Sequence, residues 1–234
     1  MAARVRFTQN TAEKVRTMLE TKRLVLRRWK ESDADNLYRC AKDAEVGPSA
    51  GWKPHENGEE SLPVIRDFVF RQVSFREIRK EETMRAAEIE QICFPPNEAC
   101  SEKNMTERIA AAHEMFLAVI ENETGTMIGF LNGIATKEEK FRDEFFTDAS
   151  LHDPEGKNIM LLGLDVLPEY RRRGLARELM HQYLKKEKER GRKKAFLTCL
   201  DSKVEMYQKF GFTDLGIADS SWGGEEWHEM SVDL

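Results

Sequence analysis

Arg171-Arg172-Arg173-Gly174-Leu175-Ala176 is the stretch whose residue types could do chemistry. The apolar run before it (Ile159, Met160, Leu161, Leu162, Leu164, Val166) reads as a strand, Pro168 breaks it, and a helical pattern starts at Leu175. A strand, a basic glycine turn and a helix, in that order, build a phosphate site from backbone N–H groups and a helix N-terminus. The N–H groups of residues 172–176 would take two phosphate charges, and Gly174 lets the backbone come close. Arg171, Arg172, Arg173 and Arg177 would add positive charge around them, mostly from water. Further along, Tyr207-Gln208-Lys209-Phe210-Gly211-Phe212 offers a tyrosine next to two packing phenylalanines.

The loop fits the pattern Arg/Gln-x-x-Gly-x-Gly/Ala, and so resembles the pyrophosphate loop of the GNAT superfamily of N-acyltransferases. Its pairing with the Tyr207–Phe212 segment is far more specific than either motif alone. The resemblance implies an α/β (α+β) fold: a mixed, mostly antiparallel, splayed sheet flanked by helices. It implies acetyl-CoA as cosubstrate and acetyl transfer to an amine by direct attack, with no covalent enzyme intermediate. It also implies that the backbone at Leu164, Asp165 and Val166 binds the pantetheine arm, with an amide facing the thioester carbonyl. Arg171 to Ala176, with Arg177, would hold the pyrophosphate.

Tyr207 matches the tyrosine of arylalkylamine (serotonin) N-acetyltransferase, as does its spacing from Cys199, which implies a general acid for the CoA thiolate. A phenol with a pKa near 10 suits a thiolate of about 8.5. The two histidines of that branch fall here on Met160 and Leu162, neither of which moves a proton. The general base is therefore open among Glu98, Glu144, Asp165, His113, His152 and water, unless the substrate arrives already deprotonated. Glu98 stands ahead, because the loop between the first two helices borders the acceptor pocket in the superfamily.

These residues need elements to position them. From Val73 the sequence predicts a strand, helices over 83–94 and 101–113 with Ser101 as N-cap, and strands over 115–121 and 126–135. After the loop come a helix stopping at Gly191, a strand at Ala195–Cys199 and strands over 211–217 and 226–233. That order is a complete GNAT domain at 72–234. Residues 1–71 resemble an incomplete second one of the ribosomal-protein acetyltransferase type, with a strand over Arg23–Trp29, a helix capped by Ser32-Asp33 and a helix over Glu59–Phe70. Its first strand needs a partner: an extension of the main sheet, pairing in a homodimer and partial disorder stay open.

The whole chain narrows the function classes. Its 234 residues suffice for one good-sized core, and a net charge of −5 disfavours general nucleic-acid binding. The four cysteines lack C-x-x-C spacing and the five histidines lack ligand spacing, so thiols in a cytoplasmic compartment and no metal are expected. No apolar run suits a membrane. Neither G-x-G-x-x-G nor G-x-x-x-x-G-K-[ST] occurs, which leaves dinucleotide and nucleoside triphosphate sites without support. The acidic, aromatic segment from Lys137 to Lys157 would suit, as a lid, a small cationic amine with an apolar body, and equally reads as a solvated loop. Cys199, in a buried strand, is not a nucleophile. An acyl-CoA-binding protein without turnover is the alternative class.

Overall fold

The structure is a computed structural model that describes residues 17–20, 25–27, 29–46 and 53–234. The chain divides into two compact units. One runs to Ser74 and includes Pro168–Leu175; the other comprises Phe75–Leu167 and Ala176–Leu234.

In the first unit, β1 (Thr17–Glu20) and β2 (Val25–Arg27) pair antiparallel, Thr17 facing Arg27. The expected strand over Arg23–Trp29 is thus seen at β2, while residues 21–24 and 28 lie outside the described residues. Helices α1 (Ala34–Ala41) and α2 (Gly58–Phe70) follow. Asp33 does not cap α1 with its side chain. Its carboxylate instead accepts from the Lys30 N–H at 2.8 Å, which closes a 3-10 turn over Glu31–Asp33. Buried His55 and Ser61 meet at 2.7 Å and tie the connector to α2.

The second unit carries a seven-stranded sheet. Its strands are β3 (Val73–Glu77), β4 (Phe116–Glu121), β5 (Met127–Thr136), β6 (Asn158–Val166), β7 (Lys194–Cys199), β8 (Thr213–Ile217) and β9 (His228–Asp233). They lie in the order β3-β4-β5-β6-β7-β9-β8. The pairs β4/β5, β5/β6, β7/β9 and β8/β9 are antiparallel, and β6/β7 is parallel. Helices α3 (Thr83–Cys93), α4 (Glu102–Ala112), α5 (Leu175–Glu189) and α6 (Asp201–Gln208) flank the sheet.

Local chemistry explains the helix ends. The Ser101 hydroxyl accepts from the Asn104 N–H at 3.1 Å, the N-cap its residue type predicts. At the far end of α5, Gly191 adopts φ 83° and Arg192 N–H returns to the Glu187 carbonyl at 3.1 Å, so the last carbonyls are satisfied. β4 and β5 are buried along their whole length, as continuous apolar runs require when both faces are covered. Their rings and those of α5 form the core: Phe116, Phe130 and Tyr183 are fully buried, and the Tyr183 hydroxyl donates to the Met115 carbonyl at 3.1 Å.

The register of β6 prepares the site. β7 pairs with it only at Asn158, Ile159 and Met160, and then runs on beside β9 as far as Cys199. β6 continues along β5 to Val166. The two parallel strands therefore part beyond Met160.

Candidate functional site

Beyond Met160, β6 offers specific peptides. Leu167 N–H donates to the Ile128 carbonyl at 3.0 Å, so Leu167/Ile128 is a hydrogen-bonded pair of the β5/β6 ladder. Alternation then makes Asp165/Phe130 bonded as well and turns the N–H and C=O of Leu164 and Val166 away from β5. Asp165, expected to lend its backbone to a pantetheine arm, spends that backbone on β5. Its side chain is what it contributes. The Val166 carbonyl also accepts from the Cys93 thiol at 3.5 Å.

The Arg-rich loop belongs to the first unit. A 3-10 turn over Pro168–Tyr170 leads into it, Arg172 takes φ 62° and Gly174 takes φ 81°, and α5 begins at Leu175. Left-handed residues in a loop that runs straight into a helix are the backbone form of an anion nest. Arg173 is buried: its guanidinium donates to the Glu169 carbonyl at 2.6 Å and lies 4.9 Å from the Tyr170 ring centroid. It braces the loop, and Arg171, Arg172 and Arg177 are exposed. The Glu31 carboxylate lies against Gly174, 2.5 Å from where a Cβ would stand, and pairs with Arg66 at 2.6 Å. On the outer face of α5, a groove of about 350 Å³ is lined by Arg177, His181, Lys185, Lys188, Lys209 and Phe210 among others.

Against this stretch of β6 lies a polar cluster that joins the expected Asp165 to residues the sequence did not single out, Glu90, Arg108 and Asn132. Glu90 of α3 and Asp165 of β6 are 4 % and 0 % exposed. Glu90 Oε1 accepts from the Cys100 N–H at 3.1 Å. Glu90 Oε2 and both Asp165 oxygens meet no N–H donor among the described residues; the Glu90 carboxyl and the Cys93 thiol are the neighbours within hydrogen-bonding reach of Asp165. Burial, reinforced by the Glu90 charge, holds the Asp165 carboxyl well above the usual carboxylate range, and burial raises Glu90 too. Arg108, also buried, donates to Asn132 Oδ1 at 2.9 Å and to the Phe146 carbonyl at 2.7 Å. A Cβ on Gly163 would stand 2.8 Å from Asn132 Nδ2, 3.0 Å from Asp165 Oδ2 and 3.4 Å from Glu90 Oε2. Only a glycine there lets the cluster close over the strand.

Tyr207 sits on α6 with its ring edge-on to Phe210 and Phe212, both at 5.9 Å. Burial raises its phenol above the ordinary value, and Cys199 and Asp165 add to the shift. The Cys199 thiol is pushed up to about 12 by burial, so it stays protonated. Glu98 lies in the α3–α4 loop, half-buried, where its carbonyl accepts from Trp222 Nε1 at 3.0 Å; burial and the Glu225 charge raise its carboxyl.

The other candidate bases are spent elsewhere. His152 is clamped between the Ala135 N–H at 3.1 Å and Glu114 at 3.0 Å. Glu144 pairs with Arg142 at 3.2 Å, and His113 lies 3.6 Å from Glu114. The segment from Lys137 to Lys157 is packed down: Phe141 and Phe145 are buried, and Phe146 stacks on Trp222 at 4.9 Å. Among the described residues no helix is long and apolar enough to cross a membrane, and no group of three or more His, Cys, Asp or Glu could hold a metal ion.

Glu90, Arg108 and Asn132 escaped the sequence reading, although each interrupts an apolar pattern. Glu90 falls on the same helical face as Ala86 and Cys93, Arg108 between Met105 and Ala112, and Asn132 inside the run from Met127 to Thr136.

Solved structures share this fold. The loading GNATL domain of CurA from Lyngbya majuscula superposes with a TM-score of 0.60 at 14% identity, over 69% of this chain and 97% of that one. The ribosomal-protein-S18-alanine N-acetyltransferase from Escherichia coli gives 0.52 at 19% identity, over 69% and 94%. A GNAT superfamily phosphinothricin acetyltransferase from Sinorhizobium meliloti, solved in complex with AcCoA, gives 0.52 at 13% identity, over 70% and 89%. These likenesses establish the fold, and acetyl-CoA is the cosubstrate that fits it. Residues 83–212, more than half of the sequence, match the acetyltransferase (GNAT) family, and the chain belongs to that family.

Proposed function

We propose that the chain is a cytoplasmic N-acetyltransferase that moves the acetyl group of acetyl-CoA onto a small amine by direct attack. The parting of β6 from β7 beyond Met160 carries this reading, because Leu164 turns its backbone groups away from β5 on a stretch that β7 has left. Acetyl-CoA supplies the acyl group already activated as a thioester. The peptides of Leu164 and Val166 orient the pantetheine arm, and one of their amides faces the thioester carbonyl as an oxyanion donor. The backbone of Arg171–Ala176 holds the pyrophosphate, helped by the charges of Arg171, Arg172 and Arg177. The basic groove along α5 suits a further phosphate.

Tyr207 Oη keeps a proton for the departing sulfur. Cys199, protonated and buried, forms no acyl-enzyme. Glu98 borders the acceptor pocket and draws in the cationic amine. The four cysteines are thiols, in keeping with a reducing compartment. Residues 72–234 make up the catalytic domain and 1–71 an incomplete relative of the same fold.

Calorimetric titration of acetyl-CoA, with ATP and NAD as controls, followed by an amine screen on wild type and Tyr207→Phe, tests this reading. Selective micromolar binding plus turnover of an amine is the expected result. Binding without turnover would favour an acyl-CoA-binding protein, the reading that buried, apolar Met160 and Leu162 support.

A further inference from the structure

Most amines arrive at neutral pH as ammonium ions, whose nitrogen has no free electron pair. One proton must leave before the C–N bond can form, and Met160 and Leu162 cannot take it. We propose that Glu90 and Asp165 form a carboxyl pair that holds one proton between them and accepts a second from the acceptor amine. The inference rests on the N-acetyltransferase reading above.

Three observations point this way. The first is burial with few donors: one of the four carboxyl oxygens of the pair meets a single N–H, and the weak Cys93 thiol is the other donor beside them. Two ionised carboxylates in that position would repel, so one proton shared between them is the stable state. The second is charge balance. Arg108 offsets one negative charge but commits its own N–H groups to Asn132 and Phe146, so the pair stays chemically available. The remaining facing groups, the Cys93 and Cys100 thiols, carry no charge to spare; Cys100 is itself pushed up to about 11 by burial.

The third is position. Asp165 lies between Leu164 and Val166, on the stretch of β6 that β7 has left, and its charge reaches Tyr207. Asp165 and the thioester-binding peptides thereby share one short segment of β6, while Glu90 and Tyr207 come from α3 and α6. Glu98, partly in water at the loop, has no such neighbours.

The protons balance. An N–H bond of the ammonium breaks and an O–H bond forms on the pair, which goes from one proton to two and later returns the extra one to solvent. The nitrogen then forms its bond to the acetyl carbon as the C–S bond breaks, the electron pair leaving with sulfur. Tyr207 protonates the sulfur and is itself reprotonated by the second N–H proton, lost once the amide has formed. The net result is one amide, one thiol and one proton released.

The test has two arms. Infrared spectroscopy of the ligand-free wild type should show a protonated-carboxyl C=O stretch at neutral pH that disappears in Glu90→Gln and in Asp165→Asn. Absence of that band overturns the pair while leaving acetyl transfer untouched. In kinetics, both amide variants should bind acetyl-CoA as wild type does but lose about 10²–10⁴-fold in kcat at neutral pH. The loss should shrink as pH rises and should be smallest for amines that are already neutral in the assay. An equal loss for every amine, or no loss, overturns the base role. Acetyl-CoA binding with no amine turned over by the wild type overturns the function reading and the base role with it. Each amide mimics a protonated acid, so both variants should fold; Glu90→Asp, which keeps the proton site, should recover part of the rate.

Discussion

Tyr207 shows how one environment serves two ends. Its raised phenol keeps its proton throughout the neutral range, as the proposed acid must, yet full transfer to a thiolate of about 8.5 runs uphill. Hydrogen-bond donation to the sulfur should therefore precede transfer, and Tyr207→Phe should lower kcat about 10²-fold while leaving acetyl-CoA binding intact. Its edge-on contacts with Phe210 and Phe212 survive that change, so a parallel fall in Tm would mean the ring was merely packing. Gly174→Ala is the reverse case. It forces a side chain into φ 81° against Glu31, which should cost about 1–2 kcal/mol locally and weaken acetyl-CoA binding with little change in kcat. At this scale the sequence declared Gly174 and Tyr207 through motif spacing. It hid Glu90 and Arg108, because a lone charged residue on an apolar helix face looks the same whether it snorkels to water or meets a buried partner across the fold.

At the scale of elements, strands and helices of the second unit follow from apolar periodicity and from punctuation such as Ser101 and Gly191. Ser101→Ala should cost ~1 kcal/mol in thermal denaturation by uncapping α4. The 3-10 turns over Asp143–Phe146 and Ala149–Leu151 were not legible. They exist because Phe141 and Phe145 find distant cover: the Phe141 N–H donates to Glu229 at 2.9 Å, and Asp143 accepts from Ser220 at 2.5 Å and from the Ser221 N–H at 3.1 Å. The α3–β6 carboxyl pair also links elements, and it gives stability a sign against pH. Folding raises both carboxyls, so the folded state binds more protons than the unfolded chain between the ordinary and the raised values. The associated stability is complete at low pH and is lost as pH climbs through the raised values. Glu82, held low by its bidentate bond to Arg76, acts in the opposite sense. Melting wild type and Glu90→Gln between about pH 4 and 8 separates the two, since the wild type, with two raised carboxyls, should lose more ground at the alkaline end than the variant, which keeps buried Asp165 alone.

For the whole molecule, charge is unevenly placed: the chain carries −5 overall while one groove gathers Arg177, His181, Lys185 and Lys188 of α5 with Lys209 from the end of α6. Acetyl-CoA binding should accordingly weaken severalfold from low to high salt, as calorimetry at graded ionic strength would show. Glu31 adds something a net charge does not convey. Its carboxylate rests on the one glycine the nest depends on, where an incoming pyrophosphate would meet it. Occupancy then becomes an exchange of anions, with the ligand as displacer and Glu31 as resident, and the apparent affinity reports the difference between them. On the proposed reading, Glu31→Gln should tighten acetyl-CoA binding, and the concentration of cosubstrate at which the protein begins to fill would be set partly by that one carboxylate.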